Sequence, residues 1–158
     1  MSEDVFADFI AKWTHPDYPP QRVVGDWRGE VETKLGVNLP DALVQALTDK
    51  GCPSTTIALL HSVVESGQDM ADASDFLTPE EMVSVTRDWR ELGMDPMLAA
   101  VATDCSGNLF GVRSGQPAIW LWDHDTGETR QVAESFETWI AAFNAVTWVD
   151  PFEDDDTD

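Results

Sequence analysis

The chain has 158 residues, 42% of them hydrophobic, and carries 30 acidic against 9 basic side chains for a net charge of −21. That length fits one domain with a sizeable core, and no apolar run approaches the ~20 residues of a membrane span. A polyanion of this density is repelled by nucleic acid and by anionic membrane, so both are set aside as partners.

The same charge suits a basic protein partner, and it equally suits general solubility or a salt-adapted host. No basic-then-apolar signal pattern opens the chain, so a soluble, cytoplasmic protein is expected. Two cysteines, Cys52 and Cys105, make neither a metal site nor a disulfide framework and are read as reduced thiols.

Val5, Phe6, Phe9, Ile10 and Trp13 recur at helical spacing, which predicts an amphipathic helix over 4–13, stopped by Pro16 and the Pro19-Pro20 pair. Asp26 is placed to cap a short helix through Trp27, Val31 and Leu35 that ends at Gly36. Pro40 and Asp41 open a third helix with Leu43, Val44 and Leu47 on its buried stripe, ended by Gly51.

Residues 52–75 are the least legible. The runs 56–60 and 62–64 fit strand or helix. Residues 65–69 read as an exposed acidic loop with Glu65 and Asp69, extended by Asp72 and Asp75. Thr78-Pro79-Glu80-Glu81 then spells a capping box with Pro at the first helical position. Met82, Val85, Trp89 and Leu92 form the face of that helix, and Gly93 stops it.

Three apolar runs follow, at 97–103, 109–113 and 118–122, with a shorter one at 129–133. They are separated by the turn sequences Asp104-Cys105-Ser106-Gly107-Asn108, Ser114-Gly115-Gln116-Pro117 and Asp125-Thr126-Gly127-Glu128. Short runs punctuated this way predict an antiparallel meander. Apolar residues on both faces of 118–122 predict a strand covered on both sides. Ser135 caps a last helix whose Phe136, Trp139, Ile140, Phe143 and Val146 would fold back on the sheet. The whole is expected as one domain over 1–150, with a disordered acidic tail at 151–158.

Chemistry-bearing motifs are few. Asp123-His124-Asp125 offers oxygen and imidazole ligands but lacks the ligand ladder and final Glu of a calcium loop, so it reads as a polar hairpin turn and not a metal site. Cys105 with His61 or His124 and an Asp can be written as a thiol triad for a small hydrolase, yet none of them sits in a nucleophile signature. No phosphate-cradling glycine loop, nucleophile elbow or dinucleotide fingerprint is present, so no catalytic residue and no cofactor is assigned. Trp13, Trp89 and Trp139 are expected in the core. Trp120 and Trp122, on one strand face, are candidates for a recognition surface.

The order of motifs resembles the SUKH superfamily. Val31-Glu32-Thr33-Lys34-Leu35-Gly36-Val37-Asn38-Leu39-Pro40-Asp41 is similar to its Leu-Gly helix end followed by Leu-Pro and a second helix. Residues 76–81 resemble its entry into the next helix, and 123–125 with 132–140 its closing strands and last helix. Lys50-Gly51 stands where the family often has Asn-Gly. The resemblance implies an α+β fold, a largely antiparallel β-sheet flanked by α-helices, without catalysis. Bacterial members of this kind are commonly immunity proteins that neutralise a toxin, often a nuclease, while fungal relatives are regulatory scaffolds. With the charge, the resemblance implies a cognate toxin with a basic surface as partner. The expected contacts are the carboxylates Glu65, Asp69, Asp72, Asp104, Asp123, Asp125 and Glu128, on acidic loops near the sheet edge that present them without the packing demands of a helix face, with Trp120 or Trp122 nearby.

Overall fold

The structure is a computed structural model that describes residues 4–152. It is an α+β fold in which helices cover both faces of a five-stranded antiparallel sheet.

Four helices precede the first strand: α1 (Val5–Trp13), α2 (Trp27–Leu35), α3 (Asp41–Lys50) and α4 (Ile57–Ser66). Asp4 caps α1 by accepting from Ala7 N–H, and Asp26 does the same for α2 with Gly29 N–H. Gly36 ends α2 with φ 69°, a left-handed position that favours glycine. The ambiguous 52–75 segment therefore supplies a helix. Thr56 makes no side-chain cap to α4, which is why no start signal is visible there.

Strand β1 (Asp75–Phe76) and helix α5 (Pro79–Glu91) come next. The capping box is complete, with Glu81 N–H donating to Thr78 Oγ1 and Thr78 N–H donating back to Glu81 Oε1. The expected apolar face of α5 needs correction at one end. Leu92 is exposed because the helix stops at Glu91 and the chain turns there. Met94 enters the core in its place, its N–H donating to Trp89 O, and Thr86 joins Met82 as a fully buried residue.

The meander follows as β2 (Leu98–Thr103), β3 (Leu109–Arg113), β4 (Ile119–Trp122) and β5 (Thr129–Ala133), and α6 (Phe136–Asn144) follows that. The order is β1-β2-β3-β4-β5, all antiparallel. Cross-strand partners share a face, so the row Phe76, Ala102, Phe110, Leu121 lies on one side. There α1 and α6 cover it: Phe76 meets Phe6 and Phe9, and Trp139 packs on Phe110 with ring centres 4.8 Å apart. The other side carries Leu109, Gly111, Trp120 and Trp122. There α5 packs, backed by α2, with Trp89 against Trp122 at 5.2 Å and Thr86 Oγ1 accepting from Ala100 N–H.

The first and last helices are clasped together. Lys12 Nζ donates to the carbonyls of Asn144 and Val146, and Asn144 Nδ2 donates to Val5 O.

The two edges of the sheet differ. Outside β1, residues 53–55 close the ladder: Phe76 N–H donates to Pro53 O, Thr55 N–H to Ser74 O, and Ser54 bridges Asp75. Outside β5, among the described residues, no backbone partner lies beyond β4. Pro151 and Phe152 form a turn, and the remainder of the expected acidic tail, 153–158, lies outside the described residues. Among the described residues, no helix is long and apolar enough to cross a membrane.

Candidate functional site

In a meander, alternate turns fall at the same end of the sheet. The 104–108 and 123–128 turns therefore stand together, joined by the loop that leads into β1. Cys105 N–H donates to Asp72 Oδ1 across the first junction. Asn108 Oδ1 meets both His124 N–H and His124 Nδ1, the latter at 2.8 Å, across the second. Most of the expected acidic contacts are thus gathered at one end.

They do not play the same part. Asp69, Asp123 and Glu128 line a depression of about 300 Å³ together with Arg130 and Leu121. Asp125 is exposed at the tip of its turn, and Glu65 is exposed on the last turn of α4, outside the depression. Asp72 and Asp104 are corrections to the expected exposed loops: both are buried. Asp104 acts as a turn anchor, accepting from Ser106 N–H, Asn108 N–H and Asn108 Nδ2. Asp72 anchors the neighbouring loop through Cys105 N–H. Burial pushes its carboxyl above the usual range, against that hydrogen bond and with help from nearby Asp104.

The two tryptophans are not brought to the acidic depression. Trp122 is buried against Trp89, and Trp120 is half-buried beneath the Arg113 guanidinium, 4.1 Å from its ring centre. Both project from the face opposite Leu121. The alternation of the strand separates them from the acidic groups even though Trp122 adjoins Asp123 in sequence.

Asp123, His124 and Asp125 bring ligand-type atoms within 4.8 Å of one another. Asp123 Oδ1 already accepts from Asp125 and Thr126 N–H, and His124 Nδ1 is engaged with Asn108, so these groups hold the turn. The thiols are not activated. Burial, then the charge of Asp72, pushes Cys105 up, and burial pushes Cys52 up to about 12. Raised values are the reverse of what a nucleophilic thiolate needs.

A second depression, about 290 Å³, adjoins the first and shares Asp69, Met70, Ala71 and Arg130 with it. Its floor is aromatic, with Phe110, Trp139 and Phe143, and its walls are β5, α6 and the 68–71 loop. Sequence reasoning missed it. No local signal announces that a polar loop will lie beside an aromatic floor set by residues 40 and more positions later.

Most of the basic side chains are engaged within the chain, although Arg22, Lys34, Lys50, Arg87 and Arg130 are exposed. Arg90 donates to the carbonyls of Leu35 and Leu98, Arg87 to Lys34 O and Lys12 to α6. Arg28 and Arg113 pair with Asp41 and Asp95. Carboxylates therefore dominate what the surface presents.

The SMI1 / KNR4 family (SUKH-1) matches the chain over residues 29–142, from α2 to near the end of α6. The chain belongs to this family. The match spans the whole meander, both junctions at its acidic end and the helices on either face. It fits an immunity-protein role in general, and members of the family are generally non-catalytic. No curated protein matches the chain.

Proposed function

We propose that this protein is an immunity protein that neutralises a cognate toxin by binding, and that the toxin presents a basic surface of the kind a nuclease uses on its substrate. The observation that carries this reading is the convergence of Asp69, Asp123 and Glu128 at one end of the sheet, in a family member whose cations are largely committed internally. Exposed carboxylates of one sign steer a cationic partner into encounter, and a desolvated apolar centre then holds it. No bond of the toxin is broken: occlusion of its substrate-binding surface is the whole mechanism.

The test is co-expression with a toxin-type gene taken from directly upstream in the source genome, the arrangement an immunity role calls for. Protection is expected, and it should survive Cys105→Ser and His124→Ala. The double reversal Asp69→Lys with Glu128→Lys should slow association at least tenfold. Loss of protection in a folded Cys105→Ser protein would overturn the binding-only mechanism.

A further inference from the structure

The two depressions beside β5 form one groove, because they share the 69–71 loop and Arg130. One half is rimmed by Asp69, Asp123 and Glu128, and the other is floored by aromatic rings. Along the groove runs β5, whose backbone, among the described residues, pairs on one side alone. An unpaired strand edge is a template for another strand. A groove that changes from acidic to aromatic along that edge selects a segment that changes from basic to apolar.

We infer that the groove between the 68–71 loop, β5 and α6 receives an extended segment of a partner protein. This segment adds as a strand along β5 and places a Lys or Arg in the acidic half and an apolar side chain in the aromatic half. The inference rests on the binding role proposed above and specifies its mode.

A second copy of this chain is a poor occupant. Antiparallel self-pairing of β5 would be centred on Gln131 and set the two Arg130 side chains as diagonal neighbours on one face, and two chains of charge −21 repel. A cationic segment meets the rim with charge complementarity, and the Arg130 guanidinium at the join offers donors to its carbonyls. A flat globular surface would reach the carboxylates but leave the aromatic half unfilled. An extended chain enters both.

The experiment needs no toxin. The full chain, isotope-labelled, is titrated with the peptide acetyl-Lys-Thr-Lys-Thr-Leu-Thr-Leu-amide, whose Lys and Leu side chains share one face of a strand, and, as control, with the same peptide carrying Glu for Lys. Saturable shifts are expected at the amides of Thr129–Ala133 and at the Trp139 indole, for the lysine peptide only. Ala142→Arg, on the exposed side of α6 at the groove wall, should weaken the peptide at least tenfold. Asp69→Lys should weaken it several-fold, with the spectra of both variants otherwise native.

Shifts spread over the acidic surface or centred on α5, no saturable binding, or affinity within twofold in Ala142→Arg would each overturn the inference. Protection in the co-expression assay is read separately. Protection that persists in Ala142→Arg sinks the groove and leaves the immunity role standing. Absent protection with groove binding intact sinks the immunity role alone.

Discussion

At one edge of the sheet, β1 is two residues long and residues 53–55 occupy its outer side. At the other, the five residues of β5 pair with β4 and, among the described residues, nothing beyond it. The closed edge is also the better packed one: Phe76 is buried among Phe6, Phe9 and Trp139, whereas Arg130 and Gln131 face solvent. Natural sheets usually protect an edge with charge, shortness or a bulge. Here β1 uses shortness and a covering segment. By contrast, β5 uses Arg130 and a register shift between Ile119 and Trp120, devices that discourage self-pairing and leave the backbone groups accessible. The contrast separates an edge that stabilises from an edge suited to recognition.

The largest effect that would test the contrast is truncation at the closed edge. Phe76→Ala removes a buried ring from three aromatic contacts and should cost about 3–5 kcal/mol in urea unfolding. Val132→Ala, half-buried on β5, should cost less than half of that. Equal losses would break the distinction between the edges.

A second effect concerns the loop entering β1. Asp72 is buried with its pKa raised by burial, so the folded state holds the proton more tightly than the unfolded chain. Its charged form therefore lowers stability at neutral pH, a penalty that fades as pH falls through the raised folded value and is gone below the ordinary carboxylate pKa. Asp72→Asn keeps an acceptor for Cys105 N–H and should stabilise the protein at pH 7, with no gain once the medium is acidic enough to protonate the unfolded carboxyl. A destabilised Asn variant at pH 7, measured by denaturant midpoint, would show that the hydrogen bond to the charged form outweighs desolvation.

The smallest effect is at Ser54, whose hydroxyl donates to Asp75 Oδ1 at 2.6 Å on the surface of the closed edge. Ser54→Ala should cost about 0.5 kcal/mol, the low end for an exposed hydrogen bond, and should leave the protein monodisperse on gel filtration. New self-association would mean that this bond, more than the backbone bonds to 53–55, keeps the edge closed.

Much of the fold was legible because its signals are local. The capping box at Thr78, the Ser135 cap and the Gly-bearing turns each specify their element within a few residues, and the meander follows from them. Residues 52–75 were not legible for the matching reason: α4 lacks a side-chain cap, β1 is two residues long, and both are fixed by distant partners. The acidic end of the sheet was half legible. Asp69, Asp123 and Glu128 come together as turn residues should. Asp72 is buried by a backbone donor 33 positions away, Asp104 turns inward to hold its own turn, and the indoles of Trp120 and Trp122 are consigned to the opposite face by strand alternation.

The clasp between α1 and α6 bears on how the protein is made. Phe6, Phe9 and Trp13 leave the ribosome well before α6, yet Phe6 and Phe9 are covered by Phe136 and Phe143, and the Lys12 clamp waits for carbonyls more than 130 residues downstream. At ordinary translation speeds that interval is on the order of ten seconds. During it a nascent amphipathic helix stands without its partner, a natural substrate for a ribosome-associated chaperone. A message cut short before α6 would yield a polypeptide that keeps the sheet strands and Phe76 but strips Phe6 and Phe9 of their cover from Phe136 and Phe143.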